Sequence, residues 1–313
     1  MNEATIPTSV IITNFNGQDL LEKYLPSIIR EVDTSLGHEI IVADDCSTEN
    51  DIEFLQNNFP EITVFQMEQN SGFGKVANAA VRSAKNEIVI ILNNDIEAGK
   101  GFLAHLTKHF TSKDIFCVTT RVFNEGNNIT GRISGSVQWG KFKLSGHNKN
   151  GKLEEETSPT LFGGGGSAAF HKEKFLELGG FDELFNPYYW EDVDLCYRGW
   201  KRGWETSYEP KSILYHRHIG STIKRISTEK QISRVWERNH LIHVWKNISD
   251  TGMLLPHIFI LPLVFVKALI TGNFPIVLGI IDAIKKIPVI SEKKKLEEKT
   301  RTMSDREILL KTS

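Results

Sequence analysis

Cysteine is scarce in this chain: Cys46, Cys117 and Cys196 are the only three, far apart and with no CxxC pair. That argues against a disulfide framework or a cysteine-based zinc site and fits a reducing compartment. Neither sign of charge is in excess, since 37 Lys+Arg face 39 Asp+Glu for a net charge of -2. A polyanion is therefore disfavoured as main partner, and no nucleic-acid role is expected. Met1 to Pro7 holds no basic segment followed by an apolar run, so no secretory leader is read there and a cytoplasmic location is expected. Internal repeats are missing, and 10 prolines and 24 glycines show no collagen-like or linker-like bias. What remains is ordinary globular material: 313 residues, 40% hydrophobic, enough for one large or two modest domains around a real core.

Alternation organises the first half. Thr8 to Thr13 is a β-branched run that ends at the polar turn Asn14-Phe15-Asn16-Gly17, and Leu20 to Val32 follows at helical spacing. Glu39 to Ala43 stops at Asp44-Asp45-Cys46-Ser47, where Ser47 or Thr48 can cap a helix over Asp51 to Asn58. Ile62 to Gln66 predicts a third strand, Gly74 to Ala84 a helix, and Glu87 to Leu92 a fourth strand broken by Asn93-Asn94-Asp95. Helix Phe102 to Phe110 and strand Ile115 to Thr119 continue the series. This pace predicts an α/β fold, a mostly parallel sheet with helices on both faces. Ligands of such sheets bind beyond the carboxyl ends of the strands, where these polar turns converge.

Phe123 to Ser158 loses clear period and reads as an irregular insertion with a hairpin around Asn148 to Gly151. Gly163 to Gly166 interrupt the next apolar run, and helix Lys172 to Leu178 ends at Gly179-Gly180. After Trp190-Glu191-Asp192, residues Val193, Cys196, Tyr197 and Trp200 form a stripe expected to face the core. Asp194, Arg198 and Lys201 are expected to point the other way. The tail changes in kind. Met253 to Val266 and Ala268 to Ile281 are uncharged stretches of 14 residues, each ~21 Å as helix against a ~30 Å hydrocarbon layer, so neither is expected to span alone. Lys267 and the turn Thr271-Gly272-Asn273 argue against one continuous span. The expectation is a bent pair of apolar helices over 253–284 making peripheral contact with a membrane, flanked by Lys285, Lys286 and Lys293 to Lys295. The alternative is a pair buried in a core or dimer interface. Beyond Ser291 a charged stretch reads as a solvated helix or a frayed end.

The landmarks in order are VIITNFNG, ADDCST, NSGFGKVANAA, ILNND, GGGGSAAF and FDELFNPYYWEDVDLCYRGWKRGW. In this order and spacing the chain resembles the family-2 inverting glycosyltransferases of GT-A fold over roughly Pro7 to Thr222. The Asn-x-Asp form and the WEDVDLCYR segment look most like bacterial rhamnosyltransferase-type enzymes that build surface polysaccharide. The resemblance implies a GT-A domain over 1–222, with a nucleotide-binding half over 1–120 and an acceptor-binding half over 121–222. A helical region over 223–313 follows. It implies a sugar nucleotide such as a UDP- or dTDP-sugar as donor and a glycan or lipid-linked acceptor, handled at the inner face of the plasma membrane. It leaves room for an oligomer.

The same resemblance places nucleoside contacts at Thr13, Asn16 and Asp45, with Asp44 beside them; two loop acids serving a helix cap is the plainer alternative. Asn93-Asn94-Asp95 stands where the family has Asp-x-Asp, which implies Asp95 as a ligand of Mg²⁺ or Mn²⁺ and a ribose or water contact for Asn93. An ordinary turn is the alternative. By resemblance Asp192 is the general base and Glu191 orients acceptor hydroxyls, with Tyr188, Tyr189 and Trp190 offering faces for sugar stacking; helix N-terminal acidity is the alternative. His216, preferred over His218 on its distance from Ser221, is the further metal or phosphate ligand. Asn70 and Asn78 either order the nucleotide pocket or cap a helix. Gly163 to Gly166 either let backbone approach the donor or simply loosen the chain before a strand. A dehydrogenase is weakened because no GxGxxG follows the first strand. A non-catalytic sugar-binding module has only Asn93 in its favour.

Overall fold

A computed structural model describes residues 6–124, 128–138, 140–146, 148–149, 152–216 and 227–313. In chain order the strands are β1 (Thr8–Asn14), β2 (Glu39–Asp44), β3 (Thr63–Gln66), β4 (Ile88–Asn93), β5 (Ile96–Ala98), β6 (Ile115–Asn124) and β7 (Ile129–Thr130). They continue with β8 (Ile133–Gln138), β9 (Lys141–Gly146), β10 (Asn148–Lys149), β11 (Lys152–Leu153), β12 (Ser158–Pro159), β13 (Ser167–His171) and β14 (Glu205–His216). The helices are α1 (Gln18–Glu31), α2 (Asp51–Asn58), α3 (Phe73–Ser83), α4 (Phe102–Thr107), α5 (Lys172–Glu177) and α6 (Glu191–Lys201). After them come α7 (Glu229–Asn247), α8 (Thr251–Ile270), α9 (Phe274–Lys285), α10 (Ile287–Glu298) and α11 (Asp305–Lys311).

The main sheet runs β12-β14-β6-β13-β4-β1-β2-β3, with β5 on β14 and β7 on β6. β3, β2, β1 and β4 are parallel to one another, and β13 is antiparallel to both β4 and β6. Alternation along each strand sorts its side chains to two faces. Val10, Ile12, Val42 and Ile90 pack with Leu21, Leu25 and Leu55 of α1 and α2 on one side. Ile11, Ile41 and Ile91 pack with Val76 and Ala80 of α3 on the other. The mostly parallel sheet with two helical layers is the architecture that the sequence predicts.

The segment read as irregular contains two hairpins, β8–β9 and β10–β11. The second supports the expected turn, whose residues 150–151 lie outside the described ones. Alternation in β8 and β9 is weak because little of that hairpin is buried on a sheet. Instead Phe142 inserts into a third apolar cluster with Trp190, Tyr197, Leu241 and Ile280.

That third cluster corrects two expectations. Asp194, Arg198 and Lys201 do not face water: all three are buried. Helix α7 covers their side of α6, where Lys246 Nζ lies 2.8 Å from Asp194 Oδ1, Asn247 donates to the same oxygen at 2.7 Å, and Arg198 Nε donates to Oδ2 at 2.8 Å. These neighbours hold the Asp194 carboxyl well below the usual range despite its burial. The segment after Ser291 is docked as well. Lys293 pairs with Asp182 at 3.1 Å, Lys201 with Glu298 at 3.1 Å, and Asp305 accepts from the Tyr197 hydroxyl at 2.8 Å. The apolar stretch also corrects the expectation of two 14-residue segments, each too short to span: α8 has 20 residues and is, by length and composition, long and apolar enough to cross a membrane. Helix α8 runs unbroken through Pro256, Pro262 and Lys267, and the bend falls at Thr271-Gly272-Asn273.

Candidate active site

Strand register brings the polar turns level. Thr13 lies beside Ala43 on one side and Asn93 on the other, so Asp45 and Asp95 follow the ends of the two strands that flank β1. His216, the last residue of β14, pairs across to Ile96 and Asn124. A cavity of about 430 Å³ opens at this carboxyl edge, and Thr13, Asp45, Asn70, Asn93, Asp95, Glu191, Asp192 and His216 all line it. Of the residues singled out in the sequence, Asn16 and Asp44 stay outside the lining. Asn16 Oδ1 accepts from the Thr48 amide at 2.8 Å, tying the first two loops together. Asp44 is buried, accepting from the Ser47 amide at 2.8 Å and from Asn14 Nδ2 at 3.0 Å, so it shapes the turn.

At the β2 end of the cavity, Asp45 caps no helix α2. Its carboxylate accepts from the amides of Ser71 and Gly72 at 2.8 and 2.7 Å, fixing the turn into α3. Burial pushes its pKa up, and those two amides oppose the shift. Asn70 donates to the Asp45 carbonyl at 3.3 Å and borders the cavity. Asn78 does not: it exchanges two 2.8 Å hydrogen bonds with the Phe181 backbone and staples α3 to the start of the acidic loop.

Asp95 and His216 meet. Nε2 of the imidazole lies 2.9 Å from Asp95 Oδ1, and both residues border the cavity. Nδ1 of His216 is 3.4 Å from Asn124 Oδ1, while Asn124 Nδ2 donates to Thr130 at 2.9 Å. A carboxylate oxygen and an imidazole nitrogen aimed at one point suit a Mg²⁺ or Mn²⁺ ion. Among the described residues no group of three His, Cys, Asp or Glu gathers around such an ion. Asp95 and His216 are thus the two described side chains that would hold such an ion, the rest of its shell being left to ligand and water. His218 lies outside the described residues.

Glu191 and Asp192 open α6 from an unusual backbone. Tyr189 and Trp190 both have positive φ, 70° and 75°, a region bulky residues rarely adopt. Asn239 of α7 supports this bend, donating to the carbonyls of Phe185, Tyr188 and Tyr189 at 2.6, 2.9 and 2.9 Å. Asp192 Oδ2 accepts from the Gly165 amide at 3.1 Å and Oδ1 from the Val193 amide at 2.8 Å. Burial raises the pKa of Asp192, and burial together with the Asp192 charge pushes Glu191 up to about 8. At neutral pH Glu191 thus keeps its proton.

The aromatic run divides. Tyr188 and Tyr189 line the cavity, but Trp190 does not offer a sugar face: it is 3% exposed, packed on Trp236 and His240 at ring distances of 5.4 and 5.0 Å. Burial lowers the pKa of His240 to about 4, so the ring is neutral at neutral pH. The glycine run has a built function. Gly165 holds Asp192, and a Cβ on Gly166 would fall 2.2 Å from Asn93 Oδ1, so only glycine leaves room for that side chain. Sequence reasoning missed Asn124 and Asn239. Asn124 carried a signal, since it ends an apolar strand as Asn93 does; Asn239 lies in a helix with nothing to mark it.

The glycosyl transferase family 2 profile matches residues 9–179. The chain belongs to that family. It is 27% identical over 230 residues to chondroitin synthase of Pasteurella multocida, covering 63% of this chain and 23% of that protein. It is 24% identical over 284 residues to a putative polypeptide N-acetylgalactosaminyltransferase 10 of Drosophila melanogaster, covering 80% and 44%. The chain spans less than half the length of these curated relatives. Among solved structures, GalNAc-T7 with UDP, GalNAc and Mn²⁺ superposes with a TM-score of 0.63 at 21% identity, covering 80% of this chain and 49% of that one. The mannosyltransferase PcManGT of Pyrobaculum calidifontis, in complex with GDP-Man and Mn²⁺, gives 0.54 at 15% identity over 99% and 87%. These likenesses support the GT-A fold.

Proposed function

We propose that this chain is an inverting glycosyltransferase that moves a hexosyl or deoxyhexosyl unit from a nucleoside diphosphate sugar to an acceptor hydroxyl. The observation that carries the reading is the meeting of Asp45, the Asp95–His216 pair and Asp192 in one cavity. Asp45, Thr13 and Asn70 receive the nucleoside. Asp95 and His216 would hold a divalent cation, which would offset the charge of the diphosphate. The acceptor oxygen forms its bond to the anomeric carbon as the carbon–oxygen bond to the β-phosphate breaks. The electron pair leaves with the nucleoside diphosphate, and Asp192 takes the acceptor's proton. Protonated Glu191 donates a hydrogen bond to an acceptor oxygen. Displacement from one face by one base inverts the anomeric centre.

The finer assignment is a UDP- or dTDP-sugar donor and a glycan or lipid-linked acceptor of surface polysaccharide synthesis, handled at the cytoplasmic face of the plasma membrane. Its support is the Asn-x-Asp turn, the WEDVDLCYR segment and the apolar tail. Radiolabelled UDP-, dTDP- and GDP-sugars incubated with the purified chain, Mn²⁺ and a membrane extract as acceptor source test the reading. Label should pass to acceptor with one donor and not with Asp192→Asn. Transfer by that variant at the normal rate, or from no donor at all, would overturn it.

A further inference from the structure

Helix α8 is 20 residues long with mean hydropathy 2.2, and only 11% of its apolar window is buried. The burial is not scattered. His257, Leu261, Val264, Phe265 and Ala268 recur at intervals of four, three, one and three, a single helical stripe facing the body. His257 and Ala268, near the two ends of that stripe, are both buried. The imidazole of His257 is bound on both sides, Nδ1 being 2.7 Å from the Gly140 carbonyl and Nε2 accepting from Trp245 Nε1 at 3.0 Å. The helix is therefore laid lengthwise on the protein.

Its opposite stripe is bare. Phe259 is 76% exposed, Leu263 68% and Ile270 80%, with Leu255 and Val266 also exposed. Phe274 and Leu278 of α9, then Ile287 and Val289 of α10, add exposed apolar side chains along the chain. Such a run is beyond the scattered apolar residues of an ordinary wetted surface. The charges along α8 and α9 are mainly basic. From residue 251 to 291 the cations are Lys267, Lys285 and Lys286, all exposed, and the single carboxylate, Asp282, is held by Arg234 at 2.6 Å.

We infer that the bare stripe of α8, continued by α9 and α10, is a docking surface for an anionic lipid bilayer, with α8 lying in the plane of the interface. Spanning is a poor fit, because lipid around the whole helix would strip His257 of both partners and leave polar atoms unsatisfied in hydrocarbon. An in-plane helix keeps that stripe on protein, sinks the other among acyl chains and lets the lysines reach headgroups. The inference extends the cellular location proposed above but uses no catalytic residue.

Flotation of the full-length chain reads it without turnover. Vesicles of phosphatidylcholine doped with phosphatidylglycerol should carry the protein up a density gradient, and plain phosphatidylcholine should carry less. Phe259→Glu with Leu263→Glu should cut partition ~10²-fold or more. Lys285→Gln and Lys286→Gln should each cost about 5-fold on the anionic vesicles only. If the glutamate pair melts early, the lysine variants, both on exposed side chains, carry the test alone. An alkaline carbonate wash should release the bound protein. Retention after that wash would overturn the in-plane geometry in favour of a span. No flotation, joined by a soluble dimer that the glutamate pair dissociates, would assign the surface to a second copy instead.

Discussion

The amide of Gly165 donates to Oδ2 of Asp192 at 3.1 Å, so the glycine run after β12 and the acidic start of α6 form one device. Asp192 is thereby held where it borders the same cavity as Asp45, Asp95 and the tyrosines Tyr188 and Tyr189. Replacing it by asparagine keeps the shape and removes the base. Turnover of Asp192→Asn should fall ~10²–10⁴-fold with donor affinity and melting temperature near those of the parent. Near-normal kcat would move the role to another carboxylate.

The metal assignment makes a prediction that needs no catalysis. Asn124 faces Nδ1 of His216 and so sets the imidazole to present Nε2 toward Asp95. Manganese titrated by electron paramagnetic resonance in the presence of UDP should bind about 10-fold more weakly to Asn124→Ala. Asp95→Ala should lose more. Unchanged manganese binding in both variants would discard the site.

Asn239 donates to three carbonyls of the loop that ends at the strained Tyr189-Trp190 bend. Asn239→Ala leaves those carbonyls without their donor and should cost ~1–3 kcal/mol of stability. Because the loop carries the tyrosines of the cavity, KM for acceptor should rise while donor affinity holds. Equal loss of donor affinity, measured by calorimetry, would contradict a local effect.

Stability should also report the proton on Glu191. Its pKa rises from 4.5 to about 8 on folding, so between those values the folded chain binds more protons than the unfolded one. Stability attributable to this group is then full below about pH 4.5 and declines as pH climbs toward 8. Glu191→Gln removes the decline. Melting curves from pH 5 to pH 8 should converge toward acid and separate toward base, with the variant higher; parallel curves would refute the assignment.

Under α6, Lys246 lies 2.8 Å from Asp194 and 2.7 Å from Asp182. Removing one partner of a buried pair strands the other, so Lys246→Ala should destabilise by ~3–5 kcal/mol. Chemical denaturation checks it. A loss below 1 kcal/mol would mean that water reaches the pair.

Apart from the short β5, the strands and helices up to Thr119 were legible because each carries its own local signal: β1 is a β-branched run closed by a polar turn, and α3 repeats Val76, Ala80 and Val81 at helical spacing. The strand-end acids were legible for a related reason, since Asp45 and Asp95 interrupt apolar runs at the edge where parallel sheets bind ligands. What the sequence hid is what depends on a distant partner. Asp194 and Arg198 look like a wet helix face until α7 is laid over them. Trp190 looks like a sugar platform until Trp236 and His240 close on it. Asp44 and Asp45 are neighbours of one type, and only the direction of the turn sends the first to Ser47 and the second into the cavity.

The hydrogen bond from Tyr197 to Asp305 joins residues 108 apart in the chain. During synthesis β1 can pair with β2 and β4, and β2 with β3, from nearby segments, whereas α6 waits for partners that emerge much later. Lys246, Asn247 and finally Asp305 must be made before the helix that presents Asp192 has its full surroundings. The α6 carboxylates thus gain their settled surroundings only after Asp305 has been made, long after the residues at the ends of β1, β2 and β4 that line the same cavity.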